Sequence, residues 1–372
     1  MINRLYIDNF RCFVNFEWKP EPFTLVLGDN GVGKTSVFDV LETLREFITS
    51  GTETIAAFPA HTRTAWDLRL DQTFELGIQG NGGQYVYQLV IRHDRERKKN
   101  KIEHERLTHD SRTLYQYAEG RAHLFAGDEP ELLTFPFDWS RSAISTIPER
   151  DKNAAFTWFR RQIDRLYAFS PDPVRMTSEA PEEAERPDRH LYRLASWLRH
   201  LSPERMTLMT ELLNSLREPI AGLKNLALLK SGETARTLKF DFDFSCEEQK
   251  NSNKSFSLPL ERLSEGQRNL VALYTILHAV VEEDTILCID EPDNYVALRE
   301  IQPWLIALKD KVEDKGSQCF MISHHPELIN YLAAEHGQWF YREDGGPTRV
   351  KRFEWKDDGT VPASEIVARG WA

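Results

Sequence analysis

A chain of 372 residues that is 41% hydrophobic, 28% charged and 11% aromatic has ordinary globular composition, which excludes a disordered, collagenous or low-complexity protein. Its 47 Lys and Arg against 58 Asp and Glu leave a net charge of −11, which excludes a whole-surface nucleic-acid binder; any DNA contact must come from a local patch. No apolar run approaches the roughly eighteen residues of a membrane span, Met1 to Asp8 lacks the apolar core of a secretory signal, and Cys12, Cys246, Cys288 and Cys319 form no CxxC pair, so a reducing cytoplasm and no membrane are expected.

Along the chain, residues 3–27 alternate as strands: Leu5, Ile7 and Phe10, then Phe13, Phe16 and Trp18, then the apolar run from Phe23 to Leu27. That run ends in Gly28-Asp29-Asn30-Gly31-Val32-Gly33-Lys34-Thr35, after which Val37, Val40, Leu41, Leu44 and Phe47 recur at helical spacing. Short alternating segments between 73 and 125 predict an antiparallel meander. Within it, the stretch Arg92 to Lys101 reads as a hairpin tip: its Arg and Lys residues suit phosphate contact, its interleaved Asp94 and Glu96 a solvated turn. Helical spacing takes over near 153–165 and again at 190–221, with Leu191, Leu194, Trp197, Leu198 and Leu201 on one face. Between these helices Ser178 to Arg189, rich in Glu and Pro, is expected to be a mobile, solvent-facing loop. Strands return near 223–229 and 236–244, and from 263 onward helix and strand alternate as in parallel α/β construction.

The segment 28–35 satisfies GxxxxGK[ST], with an apolar strand before it and a helix after it. Its glycines allow successive N–H groups to turn onto a phosphate, and the helix N-terminus adds its positive dipole end. Lys34 would reach the β- and γ-phosphates and the Thr35 hydroxyl would sit on Mg²⁺. A second constellation, Leu263-Ser264-Glu265-Gly266-Gln267-Arg268, opens a long apolar helix and could cap an anion or simply cap the helix. The next apolar strand, Thr285 to Ile289, delivers Asp290 and Glu291 at its tip: one carboxylate for the Mg²⁺ shell, one for the attacking water. A further strand, Cys319 to Ile322, ends in Ser323-His324-His325-Pro326, and a histidine there could hydrogen-bond the γ-phosphate or the water.

The order GDNGVGKT, LSEGQR, ILCIDEPDN and MISHH resembles the ABC-type ATPase heads of the RecF, OLD and SMC superfamily, and the opening Leu5 to Arg11 matches their shared "NFR" start. The stretches Asp290 to Glu300 and Ser323 to Glu327 are similar to a group of compact bacterial AAA-type ATPases of this length. The resemblance implies an α/β P-loop fold with mixed β-sheets and an inserted helical lobe. It divides the chain into an N-terminal part of the head (1–150), a helical insert (151–222) and a C-terminal part of the head (223–372). It implies a nucleotide set of Arg11, Gly28, Asn30, Gly31, Gly33, Lys34, Thr35 and Ser36 from the first part, and of Ser264, Gly266, Gln267 and Asp293 from the last. Glu291 and His324 would be catalytic, Thr35 and Asp290 would hold Mg²⁺, and Asp293 with Asn294 would form the D-loop. The glutamine loop departs from the pattern, with Gln72 its sole weak candidate.

What the resemblance implies for function is ATP hydrolysis in a homodimer that sandwiches the nucleotide between Lys34 of one copy and Ser264 of the other. DNA metabolism or anti-phage defence is the expected setting, with DNA and a separately encoded nuclease or toxin as the partners it admits. The alternative is a nucleotide-sensing module that controls a partner toxin or nuclease with little turnover. The long interval between Lys34 and Ser264 argues against a transporter cassette, and the short stretch after Pro326 against a fused nuclease of the OLD type.

Overall fold

The structure, a computed structural model, describes residues 1–94, 96, 99–125, 132–205, 207–244, 254–355 and 361–370. It divides into two units: residues 1–168, 284–288 and 317–372 form one, and residues 169–283 and 289–316 the other.

In chain order, strands β1 (Ile2–Asp8), β2 (Phe16–Trp18) and β3 (Phe23–Gly28) lead into helices α1 (Lys34–Ser50) and α2 (Thr54–Ala57). The meander follows as β4 (Asp71–Gly80), β5 (Gly83–Asp94), β6 (Lys99–His109), β7 (Arg112–Ala118), β8 (Arg121–Leu124) and β9 (Leu133–Pro136). Helix α3 (Ala154–Asp164) and strand β10 (Leu166–Phe169) come next. They precede β11 (Glu179–Ala180), α4 (Leu194–Glu204), α5 (Leu208–Leu216), β12 (Leu223–Ser231), β13 (Ala235–Phe244) and β14 (Lys254–Pro259). The chain then runs through α6 (Glu265–Ala279), β15 (Ile286–Asp290), α7 (Leu298–Asp314), β16 (Gln318–Ile322) and α8 (Pro326–His336). It continues through β17 (Gly337–Arg342), β18 (Thr348–Arg352) and α9 (Ala363–Arg369).

The first unit holds the antiparallel sheet in the order β2-β1-β4-β5-β6-β7-β8-β9 and most of a mixed sheet in the order β10-β15-β16-β3-β17-β18. In β5 the residues Tyr85, Tyr87, Leu89 and Ile91 are fully buried and their neighbours are not, the period of two of a sheet with one covered face. In β3 every residue is buried, as a strand covered on both faces requires. Helix α1 joins the two sheets: Val37, Phe38, Leu41, Leu44 and Phe47 share one core with Leu5, Phe74 and Leu89 from one sheet and Val26, Phe320 and Phe340 from the other. Each such fully buried side chain contributes about 1.5–3 kcal/mol, so the start of α1 rests on a rigid base. A buried carboxylate is accommodated in the meander because Glu105 accepts from Tyr87 Oη at 2.8 Å, Tyr115 Oη at 2.9 Å and Ser142 Oγ at 2.6 Å.

In the second unit, β13 pairs antiparallel with β12 along one edge and with β11 and β14 along the other. Helix α6 is the buried element here, with Leu270 to Leu277 enclosed. Trp304 Nε1 and Lys311 Nζ of α7 donate to its carbonyls at Leu273 and Leu277, at 2.9 and 2.8 Å. The segment 178–189, expected to be mobile, is anchored instead. Glu179 and Ala180 pair with β13, Arg199 Nη1 donates to the carbonyls of Ala180 and Pro181 at 2.8 and 3.1 Å, and Ala184 N donates to Ser196 O at 3.1 Å. Its Glu and Pro content correctly places it at the surface; what composition cannot reveal is that an arginine of α4 collects its carbonyls.

Candidate functional site

The phosphate-loop sequence forms a tight turn between β3 and α1, and two of its glycines are demanded by their neighbours. A Cβ at Gly28 (φ 140°) would lie 2.2 Å from the Phe340 carbonyl oxygen, and one at Gly33 (φ 99°) 2.5 Å from Cys12 Sγ. Thr348 braces the loop from behind, its Oγ1 donating to Val32 O at 2.7 Å and its N–H to Cys12 O at 3.0 Å. Lys34 is 7% exposed, and its Nζ donates to the carbonyls of Gly28 at 2.7 Å and Asp29 at 2.9 Å. The ammonium is thus folded over the first residues of the loop. Helix α1 begins without a side-chain cap and without an acidic residue in its first turn. Its positive dipole end is therefore met by neither a capping side chain nor a first-turn carboxylate, the arrangement that suits an external anion.

Arg11 stands beside this helix start. Its backbone is left-handed (φ 49°), its Nη1 donates to Ser36 Oγ at 3.0 Å, and its guanidinium pairs with Asp39 one turn further along α1. Thr35 is exposed and Ser36 half-buried. Asp39, which no sequence motif singles out, is the counter-ion of a candidate phosphate contact; its place one helical turn beyond Thr35 is the available signal.

The two histidines after β16 separate into different roles. His325 caps α8, its Nδ1 accepting from Glu327 N at 3.2 Å while its own N–H donates to Ser323 Oγ at 3.0 Å. His324 is exposed and lines a cavity of about 290 Å³ together with Gly28, Asp29 and Asn30. The first unit therefore places Gly28, Asp29 and Asn30 of the loop and one histidine on a single opening, with Lys34 bonded to the carbonyls of the first two.

In the second unit, Ser264 caps α6 in a reciprocal box: its Oγ accepts from Gln267 N at 3.2 Å and its N–H donates to Gln267 Oε1 at 3.1 Å. The Gln267 amide oxygen is thereby committed to its own helix, and exposed Ser264 marks the open end. Asn269, buried on α6, donates through Nδ2 to the carbonyls of Pro292 at 2.9 Å and Asn294 at 2.7 Å. This bond ties the Ser264-Gly266 helix start to the turn that follows Asp290-Glu291. Sequence motifs miss it; the one signal is a polar residue set against the apolar run from Leu270. Asp290 is buried, 7% exposed, at the tip of β15. Glu291 adopts a left-handed backbone (φ 51°), uncommon for a residue other than Gly, and accepts from Asn294 Nδ2 at 2.7 Å. Asp293 supports the same turn, its carbonyl accepting from Val296 N at 3.1 Å.

One expectation changes. Gln72, the weak glutamine-loop candidate, is fully buried: its Nε2 donates to Asn9 O at 3.0 Å and its Oε1 meets His93 Nε2 at 2.8 Å. It braces the β1–β4 pair and has no route to solvent. In the basic hairpin, Arg92 pairs with Asp71 and Glu103, and Lys101 with Glu103, so these two cations already have carboxylate partners. Arg95, Arg97 and Lys98 lie outside the described residues, as does Cys246.

Thr35 and Asp290 offer one hydroxyl and one carboxylate. Each is the kind of oxygen donor that Mg²⁺ takes alongside the phosphates of a substrate. Among the described residues, no group of three or more His, Cys, Asp or Glu side chains could hold a metal by itself. Also among them, no helix is long and apolar enough to cross a membrane.

The chain is similar in fold to the head described as "Crystal structure of the SmcHead bound to the C-winged helix domain of ScpA", at 11% identity and a TM-score of 0.58, over 97% of this chain and 99% of that one. An SMC head domain from Thermotoga maritima matches at 12% identity and a TM-score of 0.47, over 95% of this chain and 99% of that one. No curated protein matches the sequence. The fold is the α/β P-loop fold of ABC-type ATPase heads, with mixed sheets. A family model matches residues 23–330, and the chain belongs to the ATPase family it describes, "AAA domain, putative AbiEii toxin, Type IV TA system".

Proposed function

We propose that this protein binds ATP with Mg²⁺ at the 28–35 loop, hydrolyses it to ADP and phosphate, and uses the nucleotide to close a homodimer. The observation that carries the reading is Lys34 Nζ resting on the Gly28 and Asp29 carbonyls at the uncapped start of α1, with His324 on the same cavity. An arriving triphosphate would take over Lys34 and the N–H groups of the loop. Arg11 would exchange part of its bond to Asp39 for a phosphate oxygen. Mg²⁺, held with Thr35 and Asp290, would supply charge neutralisation at the phosphates. Glu291, fixed by Asn294, would orient the attacking water and accept its proton, and His324 would hydrogen-bond the terminal phosphate. Ser264, Gly266 and Gln267 at the start of α6, with Asp293 nearby in sequence to Glu291, would receive the γ-phosphate held by the partner copy.

The family description names a toxin of a toxin–antitoxin system, and that supports a reading of the switch as part of defence, acting with a separately encoded nuclease or toxin, with DNA as a further partner to test. The alternative reading is a nucleotide sensor with little turnover; the burial of Gln72, which removes it from the water-positioning side of the chemistry, favours that reading. Mixing two inactive variants tests the sandwich. Lys34→Ala and Ser264→Arg chains, each inert alone, should together regain part of the wild-type ATPase rate, because one of the two shared sites then keeps both groups. Full activity of Ser264→Arg as a monomer would refute the dimer, and turnover at background level in tight ATP-bound dimers would favour the sensor.

A further inference from the structure

The cavity beside Gly28, Asp29 and Asn30 has a wall that no nucleotide motif supplies. Ser364, Val367 and Ala368 of α9 line it, and these positions, spaced by three and four, form one face of that helix. Helix α9 is held in place rather than loosely apposed. Ala363 is fully buried, and the N–H of Ser364 donates to Asn330 Oδ1 on α8 at 2.9 Å. A Glu365–Arg369 pair lies along α9, and Gly370 ends the helix in a left-handed turn (φ 63°).

The position of Lys34 tells which end of a nucleotide this cavity would receive. In a phosphate loop the lysine serves the β- and γ-phosphates. Here its Nζ sits on the carbonyls of Gly28 and Asp29, the same residues that line the cavity. The space enclosed by α9 is therefore at the terminal-phosphate end. A third phosphate entering it would leave bulk water and meet His324 and the Ser364 side chain, while the apolar Val367 and Ala368 limit its volume.

We propose that α9 is the wall of the terminal-phosphate pocket, and that Ser364, Val367 and Ala368 determine the preference for a nucleoside triphosphate over a diphosphate. This rests on the reading of 28–35 as the nucleotide loop. Isothermal titration of the full chain with ATPγS and with ADP, both with Mg²⁺, separates the two claims. Val367→Trp fills the cavity and should weaken ATPγS about tenfold while leaving ADP within about twofold, the size of effect that overfilling a packed space produces. Ser364→Ala should weaken ATPγS about threefold and spare ADP. Glu365→Ala, outside the cavity lining, should change neither. If the wild type binds neither nucleotide, the loop reading fails; if it binds both and Val367→Trp weakens both equally, or neither, the wall assignment fails. Should Val367→Trp not fold by circular dichroism, Ala368→Leu at an exposed position replaces it: selective weakening of ATPγS supports the wall, and equal or absent weakening of the two nucleotides overturns it.

Discussion

Gly266 and the carbonyl of Tyr295 approach so closely that a Cβ on Gly266 would lie 2.6 Å from the Tyr295 oxygen. The start of α6 and the turn after Glu291 are thus locked at van der Waals distance, with Asn269 fastening the same two segments by hydrogen bonds. The Ser-x-Gly spacing at 264–266 is therefore a packing requirement as well as a candidate anion site. Gly266→Ala must displace the 293–295 backbone, at a cost of about 1–3 kcal/mol. Thermal unfolding should show a lowered midpoint, and ATPase activity should fall with it because the Glu291 turn moves. An unchanged midpoint with unchanged activity would show that the turn is free to yield.

Lys34→Ala tests the loop. The ammonium makes charge-assisted contacts of a kind worth about 1.5–3 kcal/mol each, so losing its phosphate contact should weaken ATP roughly hundredfold. The surrounding core from Val37 to Phe47 is untouched, so the fold should persist. Near-normal ATP affinity by titration in a folded variant would remove the loop from the site.

Glu291→Gln separates binding from hydrolysis. The replacement keeps an oxygen to accept from Asn294, so the left-handed turn should survive. Turnover should drop about 10²–10⁴-fold, as expected for loss of a general base, while ATP stays bound and a dimer accumulates in light scattering. Wild-type turnover would show that Glu291 is not the base.

His93 gives a pH signature of the fold. Burial, with Arg63 nearby adding to it, lowers its pKa from 6.5 to about 4. The unfolded chain therefore takes up this proton first as pH falls. The contribution of neutral His93 to stability is complete above pH 6.5 and is lost as pH drops from there towards 4. Urea midpoints measured across this range should fall more steeply for the wild type than for His93→Gln. Parallel curves would mean that His93 stays accessible to protons in the folded state.

Several features of this protein are already determined by short stretches of chain. The loop at 28–35, the capping box of Ser264 and Gln267 and the apolar strands that end in Asp290 and Ser323 each depend on residues a few positions apart, whose backbone preferences and hydrogen bonds act over that same short distance. The path of the chain decides the rest. Which of His324 and His325 faces the loop depends on which one caps α8. Whether Gln72 is reachable depends on Asn9 and His93, and the rest state of Arg11 depends on Asp39. The order that Arg199 imposes on 178–189, the Gly266–Tyr295 contact and the wall built by α9 likewise join residues remote in sequence. Composition and periodicity set which faces are buried, but the partner that each buried or charged group meets is selected by packing, because a hydrogen bond or a steric clash is decided over a few ångströms that only the assembled core defines.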